Sequence, residues 1–165
     1  MEILDLYNID GNKLNKTHIR GTPYDKNEYC IAVDVWIKND QDELLLTQRH
    51  PSKIHPMKWE CTSGFIVAGE DSFSGALREV EEEIGIKLNR NDGKKIHRII
   101  RNNINIIFDI FLFRKTLDIK KVILQKEEVI NIKWVKKEEL KEMFKKGEMV
   151  EPLEYICELI DKKIL

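Results

Sequence analysis

The sequence predicts an α+β protein in which a mixed β-sheet is covered by helices on both faces, an α/β/α sandwich. Three observations carry this. Hairpin signals separate short runs rich in β-branched and aromatic residues, one amphipathic helix interrupts the strands at mid-chain, and two more amphipathic helices close the chain. With 165 residues and no long Pro, Gly or Ser tract, a single domain over 1–165 is expected, long enough to bury a sizeable core.

An N-terminal hairpin over about 1–21 follows from Ile3 to Tyr7 and Leu14 to Arg20, which flank the turn signal Asp10-Gly11. Tyr29 to Ile37 and Glu43 to Arg49 read as two strands joined by the polar turn Lys38 to Asp42, and the loop His50 to Lys58 comes next. Trp59 to Phe65 then leads into the mid-chain helix. Beyond it, Lys95 to Ile100 and Ile104 to Phe113 flank Asn102-Asn103, a second hairpin signal, and Ile130 to Val135 is the last strand. Helices near Lys137 to Lys146 and Pro152 to Ile164 make up a C-terminal pair over about 137–164.

The most informative stretch is Gly64 to Ile86, GFIVAGEDSFSGALREVEEEIGI. A helix turns about 100° per residue, so Phe73, Ala76, Leu77, Val80 and Ile84 fall on one apolar stripe that can lie against a sheet. Asp71 or Ser72 can cap its start, and Gly85 ends it. Glu79, Glu82 and Glu83 share an arc of roughly 100° beside the stripe, whereas Glu81 points to the opposite flank. A Glu-rich face can simply be solvated. At the border of a buried stripe, however, two carboxylates about 4 Å apart repel by about 4 kcal/mol at an effective dielectric near 20. A divalent cation removes that cost, and hard oxygen ligands suit Mg²⁺ or Mn²⁺.

Arg78 lies about 40° from Glu82 on the wheel, placed to hold a ligand carboxylate by paired hydrogen bonds, with Glu70 as another partner; its alternative is an ordinary surface arginine. Gly64 and Gly69 bracket a short loop where backbone can approach a ligand closely, or where the chain merely turns.

These residues resemble the signature of the Nudix hydrolases, and Gly64, Glu70, Arg78, Glu79, Val80, Glu82, Glu83, Gly85 and Ile86 fill it over 23 residues without a departure. The resemblance implies a Nudix-like sandwich and hydrolysis of the diphosphate linkage of a nucleoside diphosphate joined to another group. It also implies a metal site at Glu79, Glu82, Glu83 and the Gly64 carbonyl. The flanking sequence, including DLYNIDGN and VWIKNDQDELLLTQRHPSK, is similar to the branch related to isopentenyl-diphosphate isomerase. Isomerases place a catalytic Cys immediately before the box glycine, where this chain has Ser63, with Cys61 two residues earlier. Their metal-binding His falls near Cys30 and their later paired acids near Ile106 and Ile107. Those departures favour hydrolysis over isomerisation. An isomerase-like enzyme and a non-catalytic nucleotide-binding module remain the rival expectations.

Diphosphate hydrolysis requires neutralised phosphoryl charge and a water aimed at phosphorus. Outside the box, Glu127 and Glu128 precede a strand and can swing a carboxylate to the site as general base, or stay a surface acidic pair. Arg49 and Lys53, at a strand end and in the following loop, suit phosphate as well as plain solvation. Trp36, Trp59, Phe65 and Phe108 suit either stacking on a flat group or core packing, and Phe65 is the one expected to bind substrate, with Arg49 and Lys53.

A net charge of −1 and a pI near 6.5 argue against binding long nucleic acid. No apolar run reaches a membrane span and MEILDLYNID lacks the zones of a signal peptide, so a cytoplasmic, membrane-free protein is expected. Cys30, Cys61 and Cys157, odd in number and widely spaced, point to reduced thiols rather than disulfides or structural zinc. Apolar positions on the opening hairpin and the final helix offer a surface for a homodimer. The expected partner is a small diphosphate, nucleotide-derived.

Overall fold

The computed structural model describes residues 2–165; Met1, the first residue of the expected domain, lies outside the described residues. The described residues form nine strands and three α-helices: β1 (Ile3–Tyr7), β2 (Lys13–Ile19), β3 (Cys30–Lys38), β4 (Leu44–Arg49), β5 (Trp59–Glu60), β6 (Thr62–Phe65), α1 (Ser72–Ile84), β7 (Gly93–Arg101), β8 (Ile106–Arg114), β9 (Val129–Val135), α2 (Lys137–Lys145) and α3 (Tyr155–Asp161).

β1 and β2 form a two-stranded hairpin, and the other seven strands form one mixed sheet. At its centre β3 runs parallel to β8 in continuous register from Cys30↔Ile106 to Lys38↔Arg114. Parallel neighbours need a long crossover, and α1 lies within it. β7 adds antiparallel to β8, and β6 adds antiparallel to the other side of β3. β4 touches β3 only at Lys38↔Leu44, then diverges to pair with β5 and β9. β5 and β6 lie where β3 and β4 diverge, β5 against β4 and β6 against β3.

Strand alternation distributes side chains to two cores. Ile31, Val33, Val35 and Ile37 of β3, with Ile107, Phe111 and Phe113 of β8, meet Ala76, Val80 and Ile84 of α1. Trp36, Ile110 and Leu112 point the other way, onto Leu140 and Met143 of α2 and Ile156 and Leu159 of α3. All nine residues of β3 are buried, as expected of a strand covered on both faces. Val80 and Ile84 are fully enclosed, each burial contributing roughly 1.5–3 kcal/mol. No helix among the described residues is long and apolar enough to cross a membrane.

Two segments differ from the sequence expectation. Trp59 to Phe65 is not one strand, because β5 pairs with Thr47 and Gln48 of β4 whereas β6 pairs with Ala32 to Val35 of β3. The diverging neighbours force the break at Cys61. The final helix is shorter than Pro152 to Ile164. Pro152 sits in a one-turn 3-10 helix, Glu151–Leu153, and Lys163 adopts φ +56° to end α3, its N–H donating to the Ile160 carbonyl and that of Ile164 to the Leu159 carbonyl.

Helix α1 is fixed at both ends. The Asp71 side chain accepts the Ser74 N–H at 2.6 Å, and Gly85, at φ +68°, donates its N–H to the Glu81 carbonyl. That Ser74 bond first, and then the Arg90 guanidinium, hold the Asp71 carboxyl below its ordinary value of 3.8. A lowered acid stabilises the fold above its unfolded value and loses that contribution as pH falls through the folded one. Asp71→Ala is therefore expected to lower stability by about 1 kcal/mol in urea unfolding at neutral pH, with the gap to wild type closing as pH drops below about 4.

Candidate active site

The last two turns of α1 carry the acids, and β6 supplies the surface they face. Glu79 lies against Gly64 so closely that a Cβ there would fall 2.0 Å from the Glu79 Cδ. Any side chain there would push the Glu79 carboxylate aside. Glu83 is buried beneath it at 4% exposure, and its Oε2 has no hydrogen-bond partner. Burial first, then the negative neighbour Glu60, push the Glu83 carboxyl well above the ordinary carboxylate range. Burial also raises Glu79, against the opposing pull of Arg78. Glu82 is exposed, and Glu81 points away to pair with Lys87 at 3.3 Å.

Arg78 organises this face. Its Nε and Nη2 donate to the two Glu70 oxygens at 2.8 and 3.0 Å, and Nη1 donates to Glu79 at 2.9 Å and Glu82 at 3.0 Å. Nη2 also donates to the Phe65 carbonyl at 2.9 Å. Paired bonds to Glu70 hold the guanidinium charge above its ordinary pKa. Among the described residues no three acidic, His or Cys side chains stand as a ready metal cage, since Arg78 turns Glu79 and Glu82 toward itself. The donor set nonetheless suits a hard dication: a buried carboxylate oxygen without a partner, two further carboxylates beside it, and a backbone position cleared of side chain at Gly64.

Glu128 reaches the same place through the backbone. The Gln125 N–H donates to the Glu83 carbonyl at 2.9 Å, the Glu128 N–H donates to the Gln125 carbonyl at 2.9 Å, and the His50 N–H donates to the Glu128 carbonyl at 2.9 Å. The Glu128 side chain is ion-paired with Lys53. Together Gly64, Glu79, Glu82, Glu83, Glu128 and Lys53 line one cavity of about 210 Å³. Glu2 and Arg20 from the N-terminal hairpin complete its wall, giving five carboxyls to two cations. An anionic substrate is repelled by such a wall unless cations accompany it.

Two residues singled out from the sequence lie elsewhere. Arg49 donates to Glu60 at 2.6 Å and to the Ile54 carbonyl at 2.7 Å, and it lines a neighbouring cavity. The Phe65 ring packs with Leu4, Leu6 and Cys30 beneath the Arg20 guanidinium, 4.8 Å from the ring centre. The sequence reading missed Glu2, Arg20 and Glu60; only their charge marked them, and many charged residues are solvated. Cys61 is 1% exposed among the residues under α2 and α3, and Ser63 donates its hydroxyl to Asp34 at 2.7 Å. Neither position presents a thiol to the cavity.

A family model described as the NUDIX domain matches residues 28–155. The chain belongs to the Nudix family. It is 31% identical over 166 residues to an uncharacterised Nudix hydrolase of Listeria monocytogenes, covering 99% of this chain and 96% of that one. The fold is similar to that of DR0079 from Deinococcus radiodurans, with TM-score 0.76, 19% identity and 98% coverage of both chains. It is also similar to a bifunctional NMN adenylyltransferase/ADP ribose pyrophosphatase from Francisella tularensis complexed with AMP and a manganese ion. There the TM-score is 0.66 and identity 18%, covering 87% of this chain and 44% of that one. This Nudix protein is accordingly an enzyme of the phosphoanhydride-hydrolysing kind.

Two outcomes follow from the geometry. Gly64→Ala should displace Glu79 by about 1 Å and lower kcat by about 100-fold, read in steady-state kinetics with the variant's circular dichroism as control. A raised acid costs stability as pH climbs from its unfolded value through its folded one. The metal-free Glu83→Gln variant should therefore melt above wild type near neutral pH, with the difference shrinking as pH falls toward about 4.5 in calorimetry.

Proposed function

We propose that this Nudix enzyme is a metal-dependent hydrolase that cleaves the diphosphate linkage of a nucleoside diphosphate joined to a further group, with Mg²⁺ or Mn²⁺. The observation that carries this reading is Glu83, a buried carboxyl with an unpartnered oxygen at the floor of an acid-lined cavity. Among the described residues no cation pairs directly with this carboxyl, and a bound dication would compensate its burial.

Glu79, Glu82, Glu83 and the Gly64 carbonyl would hold the metal, which when bound neutralises phosphoryl oxygens and lowers the pKa of water. Arg78 fixes the orientation of Glu79 and Glu82 and ties the helix to the box loop through Glu70. Lys53 supplies a cation for the diphosphate. Glu128, on the loop pinned to the Glu83 carbonyl, accepts the proton of the attacking water.

The reading is tested by incubating the enzyme with a panel of diphosphates and Mg²⁺ or Mn²⁺, detecting orthophosphate with and without added phosphatase. Turnover should vanish with EDTA, and Glu128→Gln should lower kcat by about 100-fold. Glu82→Gln and Glu83→Gln should each lose at least as much; near-wild-type turnover in both refutes the assignment. Isopentenyl diphosphate belongs in the panel, with no allylic isomer expected.

A further inference from the structure

Gly64 is the backbone that Glu79 packs against, yet the strand that carries it is held along one edge. Among the described residues β6, four residues long, pairs with β3 alone, in the register Val33↔Gly64 and Asp34↔Ser63. The Ile66 N–H donates to the Ile31 carbonyl at 3.1 Å, and backbone bonds fall on every second pair of an antiparallel ladder. The rung Asp34↔Ser63 is therefore one of those without them. A side-chain bond closes it, since Ser63 Oγ donates to Asp34 Oδ1 at 2.7 Å. On the other flank of Gly64, Arg78 Nη2 donates to the Phe65 carbonyl at 2.9 Å. A residue without a side chain is thus clamped through both of its neighbours.

Asp34 is an unfavourable choice for closing a rung unless its direction matters. It lies on the central strand, 1% exposed, and among the described residues takes hydrogen bonds only from neutral donors, Ser63 and the Tyr155 Oη at 2.8 Å to Oδ2. A buried carboxylate without a cation is destabilising, and an apolar pair would join the two strands without that penalty. What the carboxylate adds is orientation. The Tyr155 oxygen accepts the Trp36 Nε1–H at 3.0 Å, which commits the tyrosine proton to Asp34. Both neighbours of Asp34 then donate, and a group that accepts on two oxygens satisfies them together. Tyr155, the first residue of α3, braces Asp34, Asp34 holds Ser63, and the next chain step is Gly64.

We propose that Asp34 is a positioning residue: by holding the Ser63 hydroxyl it fixes the Gly64 backbone opposite Glu79, and so keeps the metal-binding face at the spacing a dication requires. The proposal rests on the metal-dependent hydrolase reading above. Loss of the Ser63–Asp34 bond loosens β6 at this rung and leaves every carboxylate of α1 in the chain. Groups that orient a metal-binding set from behind typically change metal affinity or turnover by about 10- to 100-fold.

The test reads metal binding without turnover. Mn²⁺ is titrated into wild type, Ser63→Ala and Ser63→Thr without substrate, and free ion is followed by its EPR signal. Ser63→Ala should bind Mn²⁺ about tenfold more weakly and, on the diphosphate that wild type hydrolyses best, lower kcat about tenfold with KM changed less than about twofold. Ser63→Thr keeps the hydroxyl, and the cavity of about 170 Å³ that Ser63 borders with Asp34, Glu60 and Arg101 has room for the added methyl, so affinity and kcat should return to near wild type. Asp34→Ala should weaken Mn²⁺ binding as Ser63→Ala does, and combining the two should add less than about twofold, because they remove one interaction. Should Asp34→Ala not fold, the Ser63 variants decide. Met143→Ala, in the core under α2, is the control: a lower melting temperature with Mn²⁺ affinity unchanged. Wild-type Mn²⁺ affinity in Ser63→Ala, no recovery in Ser63→Thr, or equal weakening in Met143→Ala overturns the proposal and leaves the hydrolase reading standing. A wild type that binds no Mn²⁺ overturns the metal reading itself.

Discussion

The site depends on one guanidinium. Arg78 reaches Glu70, Glu79, Glu82 and the Phe65 carbonyl at once, and so joins the box loop, the strand before it and the acidic face of α1. A single planar donor fork can do this because its hydrogens are fixed in direction, which a lysine could not reproduce. The cluster it organises would otherwise be three like charges on one helix flank. Arg78 neutralises part of that charge and leaves one oxygen of Glu83, the most deeply buried of the three, without a partner.

The cost of keeping Glu83 buried is carried by packing on either side of the sheet. β3 is enclosed along its whole length between α1 and the α2/α3 pair, and this two-sided burial gives the strand a rigidity that a loop would lack. Gly64 sits in β6, paired to Val33 of that strand, so the backbone facing the acids is anchored to the central strand. The divergence of β4 from β3 opens the wedge, and β5 and β6 fill its two walls. The acids of α1 and Gly64 of β6 are thereby mounted on regular elements, whereas Glu2, Arg20, Lys53 and Glu128 reach the cavity from outside them.

Much of this was legible in the sequence because it is local. The caps Asp71 and Gly85, the stripe of Ala76, Val80 and Ile84, and the departure of Glu81 from the other acids all follow from a 3.6-residue period and side-chain chemistry within a few positions. The strands β1, β3, β4, β8 and β9 fall within one or two residues of where alternation and turn signals put them. The single break at Cys61 was not legible, since nothing in WECTSGF announces that its two halves pair with different strands. Arg49 shows the same limit: next to a phosphate-suited loop in sequence, it is drawn aside by Glu60, eleven residues away, because β5 folds back on β4.

By itself the sequence determined the order of elements, the capped helix with its one-sided acids and membership in a phosphoanhydride-hydrolysing family, because spacing within a helix is set by local geometry. Tertiary structure alone decided that Glu83 is buried with an oxygen unpartnered, that Arg20 and Glu128 wall the same cavity, and that Asp34, Glu60 and Arg101 meet beside Ser63. Those juxtapositions come from sheet register and strand divergence, and residues 26 to 67 positions apart, such as Asp34, Glu60 and Arg101, carry no local signal of the distance that closes between them.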